Sequence, residues 1–117
     1  MSAPILDRLP DLVPDGLMLE RCERAVRRAR RSGREVLAAI TVALPGADPS
    51  AVAFASRRAG EPWFCFEQPD RGGAALAALG CVRRLDGRGP GRFERSAAEW
   101  RELAGAAEAD PPDGPAG

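Results

Sequence analysis

The 117-residue chain has a formal net charge of zero, with 17 basic and 17 acidic side chains. Every basic residue is arginine, and there is no lysine, histidine or tyrosine. That composition removes the commonest proton shuttle, the Schiff-base nucleophile and the commonest metal ligand, and zero net charge supplies no global field toward nucleic acid or a membrane surface. The length suffices for one small domain with its own core. Cys22, Cys65 and Cys81 are odd in number and widely spaced. They fit neither a disulfide framework nor a zinc pattern and read as buried, reduced thiols. No stretch of about 18 apolar residues spans a membrane and no secretory leader is visible, so a cytoplasmic setting is expected.

In chain order, residues 1–16 carry Pro4, Pro10 and Pro14 and end in Asp15-Gly16. They predict an irregular segment with at most a helical turn, anchored by Leu6, Leu9, Leu12 and Val13. Residues 17–31 read as a helix stopped by Ser32-Gly33, with Met18, Cys22, Ala25, Val26 and Ala29 on its inner stripe. From Glu20 to Arg34 the chain carries seven arginines and two glutamates. A nucleic-acid patch is one reading, but no aromatic residue interleaves the arginines. A solvated face is the better one, with arginines near the C-terminus complementing the helix dipole.

Residues 35–44, EVLAAITVAL, are apolar on both alternating faces and predict a central strand ended by Pro45-Gly46. Asp48 then offers an N-cap and Pro49 a first helical residue, giving a helix over 49–59 with Val52, Ala55 and Ala59 inward. Trp63 to Gln68 forms a strand delimited by Pro62 and Pro69. Both of its faces are bulky and expected to be covered. Pro69-Asp70-Arg71-Gly72-Gly73 is a turn by composition, and the small-sided run Ala74 to Leu79 makes the return arm.

A further strand is expected over 80–85, with Val82 inward. Asp86 to Arg92 is glycine-rich but lacks the lysine and the spacing of a phosphate loop, so it reads as a surface connection. Ser96-Ala97-Ala98-Glu99 has the form of a capping box opening a helix over 97–108, with Phe93, Ala97, Trp100, Ala104 and Ala107 on one side and Trp100 as anchor. Residues 109–117 have the composition of a linker. The elements predict an α+β fold with three or four mostly antiparallel strands and about three helices.

The run PWFCFEQPDRG followed by ALAALG resembles the N-terminal region of the chorismate-binding enzymes, most of all the isochorismate synthases. The arginine-rich helix and the apolar strand before it are in the same order, as are Gly91-Arg92-Phe93 and Trp100 after it. The likeness covers roughly residues 17–117. It implies the N-terminal part of the anthranilate synthase component I-like fold, with residues 17–108 as its α+β region and 109–117 leading to a C-terminal catalytic region outside this sequence. It further implies a magnesium-dependent isomerisation of chorismate to isochorismate, serving menaquinone or siderophore and salicylate synthesis. The family's lysine base, glutamate acid and magnesium-binding carboxylates belong to that C-terminal region. None is carried onto this chain, so no catalytic, cofactor-binding or metal residue is assigned here. Glu67, Gln68 and Asp70 match a structural motif, not a site. The partners implied are that C-terminal region and chorismate, with neither nucleic acid nor membrane. The alternative is a free-standing α+β binding domain whose contact surface is the arginine helix or an exposed strand.

Overall fold

The computed structural model describes residues 5–110. Its elements are a 3-10 turn, Ile5–Arg8, continuing into α1 (Leu9–Leu12), then α2 (Leu17–Ser32), α3 (Pro49–Ser56), β1 (Trp63–Gln68), β2 (Ala74–Leu79) and α4 (Arg92–Ala106). Among the described residues this is an α+β chain of four α-helices and one two-stranded antiparallel sheet. The described residues divide into two compact units: one comprises residues 5–12 and 44–84, the other residues 13–43 and 85–110.

The first unit is a hairpin with a helix on one face. β1 and β2 pair antiparallel from Trp63 opposite Leu79 to Gln68 opposite Ala74. The turn begins with the Arg71 amide donating to the Gln68 carbonyl at 3.1 Å. Gly72 and Gly73 then both take positive φ (70° and 73°), which side chains with a Cβ rarely tolerate. Alternation puts Trp63, Cys65, Glu67, Ala75, Ala77 and Leu79 on one face, and α3 packs there.

α3 begins as its sequence predicts. The Asp48 carboxylate accepts from the amides of Ser50 (3.1 Å) and Ala51 (3.4 Å), and Pro49 follows the cap. It stops at Ser56, not at 59, because Arg57 turns extended. Its inner side is Val52, Ala53 and Ser56, with Ala55 and Ala59 exposed. The other face of the hairpin, Phe64, Phe66 and Leu76, is about half exposed or more. The expectation that both faces are covered therefore fails on that side. The strand expected over 80–85 is also absent. Gly80 closes the hairpin by donating to the Pro62 carbonyl at 2.8 Å, the chain then leaves the sheet, and Val82 is 87% exposed.

The second unit is held differently. α2 runs one residue past its expected end, and Gly33 caps it with an amide bond to the Ala29 carbonyl at 2.8 Å. Its inner stripe is Leu17, Arg21, Ala25, Arg28 and Ala29, while Met18, Cys22 and Val26 are exposed. Segment 35–44 is not a strand. Its one ladder is an isolated parallel bridge of Ala38 with Glu108: Ala39 donates to the Glu108 carbonyl and Glu108 to the Leu37 carbonyl, both at 2.9 Å. Beyond it, backbone groups bond to side chains instead. Thr41 donates its amide to the Asp110 carboxylate at 2.6 Å, and the Ala39 carbonyl accepts from the Arg21 guanidinium.

α4 starts one turn before the expected capping box. Gly91 takes the N-cap position and accepts from the Arg95 amide at 3.0 Å, so Ser96 lies inside the helix. The helix ends at Ala106 because Glu108 is drawn out to the bridge. Its inner side is Ser96, Ala97, Leu103 and Ala106. Trp100 is 56% exposed and does not anchor it.

Candidate functional site

The most side-chain-rich feature of the first unit is a small aromatic platform. α3 presents Phe54 to Trp63 at the start of β1, with ring centroids 5.3 Å apart and planes tilted by 53°. The Arg57 guanidinium lies 4.9 Å from the Phe54 ring centre and 5.9 Å from that of Trp63, close enough to favour the ring faces electrostatically. Phe54 and Trp63 are each about half exposed, so the platform keeps an open side.

Beside the platform, along β2, lies an apolar recess of about 470 Å³ lined by Leu44, Ala47, Pro49, Val52, Ala53 and the Ala77–Leu79 end of the strand. A second recess of about 320 Å³ continues toward the turn, lined by Ala47, Pro49, Ala74 and Ala75 together with Asp48, Glu67, Pro69 and Gly73. It brings two carboxylates near one space, but Asp48 already caps α3. Glu67 and Asp70 are exposed, and Gln68 is half-buried where its carbonyl starts the turn. The motif residues from Gln68 to Gly73 build the turn.

The second unit gathers its charges. Arg21, only 7% exposed, donates one guanidinium nitrogen to the Ala39 carbonyl and another to the Asp110 carboxylate at 3.0 Å. The Asp110 carboxyl is held below its ordinary value, first by the Arg21 hydrogen bond and then by the Thr41 amide, with the nearby positive charge adding to both. Arg28 donates to the Ala106 carbonyl at 2.6 Å and pairs with Glu108 at 3.2 Å; Arg24 reaches the same carboxylate at 3.9 Å. Arg34 pairs with Glu102. The solvated-face reading of α2 is thus corrected for Arg21 and Arg28. Their long apolar stems line the inner stripe, while their ends satisfy carbonyls and carboxylates. Composition groups Asp110 with the proline-rich segment 109–117, but here it is built into this cluster. Residues 111–117 lie outside the described residues.

The glycine-rich loop is also tied down. Arg95 donates to the carbonyls of Pro90 (3.0 Å) and Arg88 (2.6 Å), and Arg92 to that of Gly89 (3.3 Å). A phosphate cradle presents amides to its ligand, whereas this loop turns three carbonyls onto its own arginines. Gly87 lets the loop approach α4 closely. A Cβ there would stand 3.1 Å from the Arg92 Cβ, the Arg92 carbonyl oxygen and the Ser96 hydroxyl. Sequence reasoning placed Ser96 as a helix cap and missed this packing role. The Gly87–Ser96 spacing carries no signal for it.

The three thiols are free. Cys22 and Cys81 are exposed and Cys65 is half-buried, which corrects the expectation of buried cysteines. Among the described residues no three carboxylate, thiol or imidazole side chains converge on a metal-sized space. No helix among them is long and apolar enough to cross a membrane. The chain matches no protein-family model, no curated protein and no solved structure.

Proposed function

We propose that this chain is the N-terminal portion of an isochorismate synthase of the chorismate-utilising fold, a scaffold that is inactive without a C-terminal catalytic region. The observation that carries the reading is the β1–turn–β2 hairpin. The run on which the resemblance rests, from Trp63 through Gln68-Pro69-Asp70 to Leu79-Gly80, is also the one regular sheet among the described residues. Support comes too from the open outer face formed by Phe64, Phe66 and Leu76, the kind of surface a layered fold covers with further structure. Chemistry sets the division of labour. With no lysine in its sequence, this chain does not supply the family's base, and the reading places the metal site with that base, outside this chain. The magnesium and the isomerisation therefore belong to the remainder of the enzyme, and this portion contributes folded surface in the cytoplasm.

The test is the native polypeptide, recovered from its source cells with an antibody raised against the hairpin. Its intact mass should exceed 12.4 kDa, and it should convert chorismate to isochorismate only with magnesium present. A native product of 12.4 kDa that leaves chorismate unchanged overturns the reading and favours the free-standing binding domain.

A further inference from the structure

The hairpin has two edges, and they are unlike. The Gly80 amide bonds to the Pro62 carbonyl, so residues 62 and 80 form a hydrogen-bonded pair. By the alternation of an antiparallel ladder, 64 with 78, 66 with 76 and 68 with 74 do the same. The amides and carbonyls of Ala75, Ala77 and Leu79 therefore point away from β1. Among the described residues no backbone hydrogen bond reaches them. Natural edges are blunted by charge or proline. β1 has Glu67 within it and Pro62 and Pro69 at its ends, whereas β2 lies in an eleven-residue run, 72–82, with neither a charge nor a proline. Alongside this edge run the two recesses described above.

The geometry points to a second copy of this chain as the occupant: β2 pairs with β2 antiparallel across a two-fold axis at Ala77. The sequence AALAAL fits itself in that register. Ala77 faces Ala77, Leu79 faces Ala75 and Leu76 faces Ala78, so every leucine meets an alanine on both faces of the joined sheet. The hydrogen-bonded pairs of the new ladder are 75 with 79, 77 with 77 and 79 with 75, which use the outward amides and carbonyls of all three residues in each copy. Leu79 of the second copy comes opposite Ala75, beside the recess lined by Ala47, Pro49, Ala74 and Ala75. No like charges meet along the join. The contact is isologous and closes on itself, so it yields a dimer and not a fibre. It extends the two-stranded hairpin, marginal by itself, to four strands. This inference is independent of the enzyme reading, because it uses only the β2 edge.

The experiment is sedimentation velocity on the full 117-residue chain over a concentration series. The expected result is a reversible monomer–dimer equilibrium. A77P deletes the central outward amide, which takes no part in the hairpin's own ladder, and should weaken the dimer about 30-fold through two lost hydrogen bonds. Far-ultraviolet circular dichroism checks that the hairpin survives this change. Should it not, a charge-pair exchange takes its place. L76K and A78E both alter the exposed outer face, and the proposed register sets the introduced lysine directly opposite the introduced glutamate of the other variant. Mixed together in equal amounts, the two should form heterodimers well beyond the half share of all dimers that random pairing gives, read by native mass spectrometry. A monomer at every concentration up to about 1 mM, a ladder of higher oligomers, an A77P dimer of undiminished affinity, or random mixing of L76K with A78E overturns the proposal.

Discussion

The two units of this chain solve the same problem with opposite means. In the hairpin unit, order comes from apolar surface: Ala53 is buried against the sheet, and Phe54 leans on Trp63. In the other unit the load falls on guanidinium groups. Arg21, Arg28 and Arg95 donate to main-chain carbonyls, and Arg21, Arg24 and Arg28 pair with Asp110 or Glu108. A lysine-free chain rich in alanine has few large side chains to bury. Arginine then serves as both filler and fastener, since its stem is apolar and its fork holds five donors.

Removing the fastener should cost most. R21A deletes the bonds to the Ala39 carbonyl and to Asp110 and empties the stem's place beside Ala25. The expected loss is about 2 kcal/mol. Urea unfolding followed by Trp100, with W63F as background, reads it. The contrast between the units fails if Trp63, followed in a W100F background, reports the same loss. F54A should cost the hairpin unit less, about 1 kcal/mol, and shift Trp63 emission to longer wavelength. An unchanged midpoint would show that the exposed ring pair is decoration.

The smallest effect at neutral pH belongs to D110N, which keeps the shape and an acceptor. Its signature lies in acid. The Asp110 pKa in the folded chain is below the ordinary 3.8, so its contribution to stability is present above that value and is lost as pH falls through the lower, folded one. The wild-type chain should lose stability over that acid range, and D110N should show a smaller loss there. Parallel pH profiles would contradict the assignment.

These contrasts also explain what was legible beforehand. The hairpin could be read because prolines delimit β1 and glycines mark its turn, and both are local effects. The start of α3 could be read because Asp48 and Pro49 act within one turn of themselves. The inner face of α2 was misread because apolar periodicity scores arginine as polar throughout, while Arg21 and Arg28 bury their stems against acceptors 18 and 78 residues away. Segment 35–44 has strand composition, but a strand also needs a neighbour, and composition does not say whether one exists. The Ser96 box was overridden by Arg92 and Arg95, which hold the preceding loop and so draw the helix start back to Arg92. The candidate site was legible only as a motif. The platform of Phe54, Trp63 and Arg57 depends on how α3 lies across β1, which no local signal encodes.

The grip of Arg95 on the glycine-rich loop bears on how the chain meets proteases. An arginine-directed protease must bring the carbonyl of the residue it recognises into its own oxyanion hole. The carbonyl of Arg88 already accepts a 2.6 Å bond from Arg95. The loop from Asp86 to Arg92 places Arg88 and Arg92 among glycines, a composition open to cutting. Cleavage after Arg88 must first break that bond, so the loop is protected by an arginine that is itself a potential cleavage site.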